Sequence, residues 1–383
     1  MTVGGLGTAF ADQAEFTDKT FLVTTPLSVM APRLDGFEAV WGVSRLSRGW
    51  LEWELEDGLK GKAKAGAFGF TPQGDDVLRV RLDGMNSKVR GRVRSHTIAV
   101  DDGEKVISPW KSFHTLNSKA TNTRFVMWND THIHDETIQA LHKATPAADF
   151  MVWNGDTCND WTRDDLLTPT LLNPGNCDIT VNRPLFITWG NHDSRGAHAF
   201  RMPGVVATPE GRPFYAFRSG PVAVICLHTG EDKPDDHPSF QGRVAFDTLR
   251  LEQAEWLANV IRQPGFRDAP YRVVFCHIPL RWRDERPQDY LKSGFDRHSG
   301  RSRTAWHDSL VAWKTQVILS GHTHQSHWMP PTEEFPYGQL TGGGPKLHQA
   351  TWTEGRADGS LLSLKVNKLD GDILHDIQIR PIA

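Results

Sequence analysis

Five short apolar runs in this chain each stop on side chains able to bind metal. Leu185-Phe186-Ile187-Thr188-Trp189 breaks into Gly190-Asn191-His192-Asp193, which delivers an amide, an imidazole and a carboxylate to one point. Phe125-Val126-Met127-Trp128 leads to Asn129-Asp130-Thr131-His132, and Phe150-Met151-Val152-Trp153 leads to Asn154-Gly155-Asp156. Arg272-Val273-Val274-Phe275-Cys276 leads to His277, and Val317-Ile318-Leu319-Ser320 leads to Gly321-His322-Thr323-His324. Strand ends at the rim of a sheet are where open α/β folds place their ligands. Asp130, Asp156, Asn191, His132, His277, His322 and His324 make seven candidate ligands, enough for two divalent ions. Imidazole and carboxylate suit Zn, Fe and Mn alike. With both aspartates ionised and the imidazoles neutral, two such ions leave a net charge of about +2, a trap for a phosphoryl group. Two metals roughly 3.5 to 4 Å apart can hold a hydroxide and substrate oxygens for in-line displacement at phosphorus.

Taken in order, Asp130-x-His132, Gly155-Asp156, Gly190-Asn191-His192-Asp193, His277 and Gly321-His322-x-His324 reproduce a five-part pattern over residues 124 to 324. The chain thereby resembles the calcineurin-like metallophosphoesterase family. That resemblance implies that Asp130, His132 and His324 hold one metal, Asn191, His277 and His322 a second, and that Asp156 bridges them. It implies hydrolysis of phosphomonoesters, phosphodiesters or both by metal-bound hydroxide, with His192 as general acid or as a stabiliser of charge on the phosphoryl oxygens. It further implies a four-layer α/β/β/α sandwich. A β-sandwich ahead of such a domain is similar to the arrangement in purple acid phosphatases. Those enzymes carry a tyrosine ligand three residues after the bridging aspartate, where this chain has Asn159, so a purple ferric site is not expected. An asparagine there resembles members that also cleave diesters, where it supports the nearby histidine.

The elements that must position these groups follow two textures. Residues 20–118 show only short strand-like runs, such as Val77-Leu78-Arg79-Val80-Arg81-Leu82, between Gly and Asp turn signals, which predicts an immunoglobulin- or fibronectin-like all-β sandwich. Residues 119–383 alternate strands with helices, which predicts a layered α/β domain. Asp135 is placed to cap a helix through Ile138 and Leu141, and a second helix runs from Asp247 to Ile261. Leu361 to Val366 and Ile373 to Ile379 flank a Leu369-Asp370-Gly371-Asp372 turn and read as a hairpin closing the second sheet. The polar stretch 110–122 reads as the boundary between the two parts.

Length and charge bound the rest. The 383 residues exceed one ordinary compact core and fit two domains. A formal net charge of -3 predicts no strong attraction to nucleic acid or to an anionic membrane. No apolar run approaches the roughly 20 residues of a membrane helix. Residues 1–19 read as a flexible terminus or as the tail of an export signal ending Ala9-Phe10-Ala11, so the chain is expected in a periplasmic or extracellular compartment, and otherwise in the cytoplasm. Cys226 and Cys276 are core thiols, and Cys158 and Cys177 flank one loop that a disulfide would bridge.

Beyond the seven ligands, His192, Asp193 and Arg195 form the candidate catalytic set, Arg195 as a guanidinium for a phosphoryl oxygen against the plainer reading of a salt bridge. Asn159 and Glu231 are candidates for the shell behind the ligands or against substrate. The segment from Arg281 to Arg303 carries seven basic and four acidic residues and reads as a substrate-selecting loop or an ordinary solvated one. Trp128, Trp153 and Trp189 read as a core layer in matched register, and His134 and His327 as bystanders. The partner expected is a phosphorylated small molecule. Two alternatives stand beside the hydrolase: a non-catalytic metal- or phosphate-binding scaffold on the same fold, and a nuclease.

Overall fold

The computed structural model describes residues 21–87, 89–283 and 298–382. The export-signal reading of residues 1–19 and most of the basic segment between Arg281 and Arg303 fall outside that range.

The first part of the chain is all strand, as its alternation predicts: β1 (Ser28–Met30), β2 (Phe37–Gly42), β3 (Ser47–Leu55), β4 (Lys60–Ala63), β5 (Gln73–Gly74), β6 (Val77–Leu82), β7 (Arg90–Ala99), β8 (Lys105–Ile107) and β9 (Lys111–His114). Strands β4, β3, β7 and β8 form one antiparallel sheet, with β5 also pairing with β3 and β9 with β7. Its inner face, with Leu51 and Val93, packs on Trp41, Leu78 and Val80 of β2 and β6. The second layer of this sandwich is not its own, however. β1 pairs in parallel with the later strand Leu185–Thr188 through Met30 and Leu185, so β1, β2 and β6 continue a nine-stranded sheet built mostly from the rest of the chain. The reason is visible in β2, whose six residues are all buried: such a strand requires cover on both faces and a neighbour on each edge. The 110–122 stretch is likewise no free linker. Lys111 is half-buried and its ammonium donates to Asp178 Oδ1 at 2.6 Å and to the Leu27 carbonyl at 2.6 Å, pinning the two parts together.

The remaining strands of the large sheet are β10 (Thr123–Trp128), β11 (Phe150–Asn154) and β12 (Leu185–Thr188) at its centre. The smaller six-stranded sheet holds β13 (Tyr215–Ser219), β14 (Val222–Leu227), β15 (Tyr271–Cys276), β16 (Val317–Ser320), β17 (His327–Met329) and β18 (Gly338–Thr341). The chain then returns as β19 (Thr351–Ala357), β20 (Leu362–Lys368) and β21 (Ile373–Ile379). β19 pairs antiparallel with β10, so the terminal hairpin extends the first sheet rather than closing the second. The two sheets pack face to face through Phe125, Phe150, Phe186, Phe217, Phe275 and their neighbours.

Helices cover the outer faces. α1 (Asp135–Ala144), α2 (Leu167–Leu172) and α3 (Met202–Val205) pack on the large sheet with Trp128 and Trp153 beneath them, which places both tryptophans in the core as expected. α4 (Phe246–Val260) and the helix Gly300–Ala312 cover the small sheet. Helix-sheet-sheet-helix is thus the order of layers. Asp135 is the first helical residue of α1 rather than its cap, with Glu136 beside it in the positive first turn. α4 also departs from a purely apolar buried face: Arg250 and Gln253 are interior, and Arg250 donates to the Thr229 carbonyl at 3.0 Å and to the Glu231 carbonyl at 3.0 Å. Periodicity marks a buried face but not a loop carbonyl that needs a donor. Among the described residues, no helix is long and apolar enough to cross a membrane.

Candidate metal centre

In-register parallel pairing is what brings the ligands together. Trp128 lies opposite Trp153, and Asn154 opposite Thr188, so β10, β11 and β12 end at one level. In the facing sheet Leu227 is level with Cys276 and Phe275 with Leu319, so His277 and the 321–324 turn emerge at the same rim.

The residues expected to bind metal do converge. Asp130, His132 and His324 present ligand atoms within 4.8 Å of one another, as do Asp156, His277 and His322. His277 Nε2 lies 3.1 Å from Asp156 Oδ2, and His324 Nε2 lies 3.5 Å from Asp130 Oδ1. Asn191 joins the second group, its Oδ1 2.9 Å from His322 Nδ1. A third group, His132, Asp156 and His192, links the two, and the His132 and His192 rings meet edge to face with centroids 4.9 Å apart.

The donor set fits metal ions. His132 Nδ1 donates to the Cys158 carbonyl at 2.8 Å and His277 Nδ1 to the Asn154 carbonyl at 2.8 Å. A carbonyl can only accept, so each ring carries its proton on Nδ1 and turns Nε2 inward. Both Nε2 atoms are buried without a hydrogen-bond partner, an arrangement that water-soluble proteins rarely leave unfilled. The electrostatics agree. Burial, with His277 nearby, pushes His322 down to about 4, and burial lowers His132, which keeps both as neutral ligands. His277 goes the other way: although burial opposes it, the carboxylates of Asp156 and Asp130 draw its imidazole up to about 10. Asp156 is held well below the ordinary carboxylate range, burial notwithstanding, chiefly by His277. The centre of this cluster therefore attracts positive charge.

The backbone is strained at the same place. Asp130, His132, Asp156, His322 and His324 all have left-handed φ, between 46° and 68°. Such residues cost of order 1–3 kcal/mol each and persist only where surrounding bonds hold them. Asp130 accepts the His322 N–H at 2.9 Å and Asp156 Oδ1 accepts the His192 N–H at 2.9 Å, so ligands from different strands brace each other. The motif glycines serve this crowding. A Cβ on Gly190 would stand 2.2 Å from Asp156 Oδ1 and 2.3 Å from its amide nitrogen, and one on Gly321 would stand 2.4 Å from Asp130 Oδ2. Gly190→Ala is expected to displace Asp156, lowering stability by roughly 1–3 kcal/mol and metal content with it. A thermal melt and elemental analysis of the purified variant check both, and wild-type values in each would show that the close approach is of no consequence.

The catalytic candidates separate on inspection. His192 sits on the turn His192–Ser194 with Nδ1 bonded to the Asn159 carbonyl and 3.1 Å from Asp160 Oδ1, which leaves Nε2 facing Arg195 Nη1 at 3.1 Å. Asn159 thus supports the histidine through its main chain, while its side chain is exposed. Arg195 makes the salt bridge anticipated and also reaches His192: Nη1 faces the imidazole while Nε bonds Glu231 and Nη2 lies 3.1 Å from Glu231 Oε2 and 3.2 Å from Asp232 Oδ1. Glu231 is fully buried, and burial pushes its carboxyl up to about 7 against the opposing pull of Arg195. Asp193 is placed differently from the other two candidates. It is fully buried, Oδ1 accepting the Thr157 N–H at 3.0 Å and Oδ2 the Gly190 N–H at 2.8 Å, so it holds the two ligand loops together.

Cys158 and Cys177 are free thiols rather than a disulfide. Cys158 is buried with its Sγ 3.6 Å from the His192 carbonyl, and burial beside Asp193 raises it well above the ordinary thiol range. His134 precedes α1 and His327 lies on β17, both outside the three ligand groups. Of the basic segment, Arg281 is buried, donating to the Pro330 and Tyr337 carbonyls at 2.9 Å each, and Arg301 pairs with Asp247. These are anchors of the fold.

Three contributors escaped the sequence reading: Asn154, Thr157 and Asp160. Asn154 Nδ2 donates to Asn129 Oδ1 at 2.9 Å, its Oδ1 accepts Thr188 Oγ1 at 2.7 Å, and its carbonyl holds His277, so one amide stitches both sheets beneath the ligands. Its signal was present: a polar residue closing a fully apolar run has to be hydrogen-bonded if buried.

A family model described as calcineurin-like phosphoesterase matches residues 123–326. The bovine (Bos taurus) serine/threonine-protein phosphatase CPPED1 is 26% identical over 215 residues, which covers 51% of this chain and 60% of that protein, less than two thirds of its length. Among solved structures, the purple acid phosphatase PPD1 from yellow lupin (Lupinus luteus) seeds superposes with a TM-score of 0.67 at 15% identity, covering 94% of this chain and 75% of that one. The match extends over the N-terminal strands as well as the layered core.

Proposed function

The chain belongs to the calcineurin-like phosphoesterase family, and from that premise we propose that it hydrolyses phosphoester bonds of small molecules with two divalent metal ions, of the Mn, Fe or Zn type. The observation that carries this reading is the buried pair of unpartnered Nε2 atoms of His132 and His277, aimed at the two carboxylates of Asp130 and Asp156. Asp130, His132 and His324 would hold one ion, Asn191, His277 and His322 the other, with Asp156 between them. When bound, the ions supply a nucleophile at neutral pH and neutralise charge on the phosphoryl oxygens.

The chain's own residues do the rest. Asp193 and Asn154 set the ligand loops at their spacing. His192 presents its Nε2 on the side of the cluster where a leaving group departs, with its Nδ1 proton fixed by the Asn159 carbonyl and Asp160. In its imidazolium form it donates a proton from Nε2 to the departing alkoxide. Arg195 Nη1, beside that nitrogen, is a second donor for a phosphoryl oxygen, and a guanidinium tied on its far side to Glu231 and Asp232 is oriented before substrate arrives.

The test of the reaction class is turnover on a chromogenic phosphodiester and the matching monoester, using stripped protein reloaded with Mn or Zn. Hydrolysis of either ester, abolished by stripping, supports the proposal, and their ratio assigns the preferred class. No hydrolysis of either after reloading sinks it. Glu231→Gln is expected to retain metal while lowering kcat/KM by roughly 10- to 100-fold, because Arg195 loses its anchor. Comparing metal content with kinetics checks this, and unchanged kinetics would make the Arg195 network purely structural.

A further inference from the structure

A cleft of about 660 Å³ opens directly beside His192, and Asp160 and Arg195, the two groups flanking its ring, both line it. Its other walls are of a different character. Trp189, Phe240 and Phe246 are nearly buried, at 6%, 3% and 8% exposure, and Leu249 completes an apolar side. Phe200 stands at the mouth with 77% of its surface exposed. Opposite, Arg243 is held over the cleft by bonds to the Gly196 carbonyl at 2.9 Å and the Phe240 carbonyl at 2.9 Å. Its size is that of a small-molecule site, and its lining sets these rings beside charged groups, among them Asp160, Arg195, Lys233 and Arg243.

Resting on the phosphoesterase reading above, we propose that this cleft is the leaving-group subsite, and that it selects phosphoesters whose alcohol part is aromatic. His192 groups with His132 and Asp156 on one side and touches Asp160 and Arg195 of the cleft's lining on the other, so an ester with its phosphoryl group at His132 and Asp156 would send its leaving oxygen past His192 and its organic part in among the rings. Aromatic side chains gain most from a flat aromatic guest, by edge and face contacts beyond simple burial. Arg243 and Arg195 at the edge add a guanidinium plane for such a ring to meet. A short polyol alcohol can use the polar groups of the lining but gains nothing from the rings.

The experiment compares wild type with Phe200→Ala, which removes the ring at the mouth, and Ala197→Trp, which fills the cleft from an exposed position. Substrates are 2-naphthyl phosphate and glycerol 2-phosphate, each compared across variants so that intrinsic leaving-group reactivity cancels. The expected result is a KM for the naphthyl ester raised by about 5- to 20-fold in both variants with kcat nearly unchanged, and a kcat/KM for the glycerol ester that falls much less than that for the naphthyl ester in each variant. A second readout needs no turnover: calorimetric titration of 2-naphthol into each protein should show weaker binding in both variants. Equal shifts for the two esters, or no shift for either together with unchanged naphthol binding, overturns the subsite. If wild type cleaves neither ester, the phosphoesterase reading fails instead, and the naphthol titration still decides whether the cleft takes an aromatic guest. Should Ala197→Trp not fold, Phe200→Ala decides alone, since so exposed a ring contributes little to the core.

Discussion

Asp156→Asn is expected to remove both metal ions together and to lower turnover by about a thousandfold or more, since several kcal/mol of transition-state stabilisation depends on them. The geometry makes this residue singular. Asp156 belongs to two of the three ligand groups, with Oδ2 3.1 Å from His277 Nε2 and 4.0 Å from His132 Nε2, so one carboxylate oxygen faces ligands of both proposed ions. Asparagine keeps the shape and can still accept the His192 N–H through its amide oxygen, as Asp156 Oδ1 does at 2.9 Å. What it removes is one of the two negative charges at the centre. Elemental analysis of the variant, stripped and reloaded beside wild type, measures this. Loss of one equivalent with retention of the other would show that Asp156 serves a single site, and the bridging assignment would be wrong.

His192→Ala is expected to have a different signature, with metal content near wild type and turnover lowered by roughly 10²- to 10⁴-fold, most for substrates with poor leaving groups. The ring is fixed by Asn159 and Asp160 on one side and meets Arg195 on the other. That fits a group that moves a proton or steadies charge. Yet His192 also falls within 4.8 Å of His132 and Asp156 ligand atoms, so the variant discriminates between two roles. If a metal equivalent leaves with the ring, His192 is a ligand. If metal stays and good and poor leaving groups slow equally, it acts on phosphoryl charge rather than as an acid.

How much of this was legible beforehand varies from residue to residue. The seven candidate ligands were readable because each lies just beyond the end of a short apolar run, and a run of Val, Ile, Phe and Trp buried on both faces has to be a central strand. Parallel pairing then leaves its C-terminal neighbour at the rim. Asp193 was grouped with the catalytic candidates because it adjoins His192 in the motif, while the structure shows it bonded to main-chain amides. Nothing in Gly190-Asn191-His192-Asp193 says that the fourth side chain turns back to the Thr157 and Gly190 amides. Arg195 was left between two readings, of which the structure shows the salt bridge, whose partners Glu231 and Asp232 come from a loop 36 and 37 residues away. The proposed disulfide failed on similar grounds, because Cys158 turns inward beneath His192.

By itself the sequence determined the chemistry: which groups are present, that they stand at strand ends, and that an all-β stretch precedes an α/β one. Those are local properties, set by periodicity over a few residues and by what ends each run. Only the tertiary structure decided the company those groups keep. It joined β1, β2 and β6 to the large sheet, sent the last hairpin to β10's side, placed Asn154 under both sheets and opened an aromatic cleft beside His192. Each of these depends on partners far apart in the chain. A strand's edge or a buried amide accepts whichever partner the packing of the layers brings to it, and alternation along a segment does not name that partner.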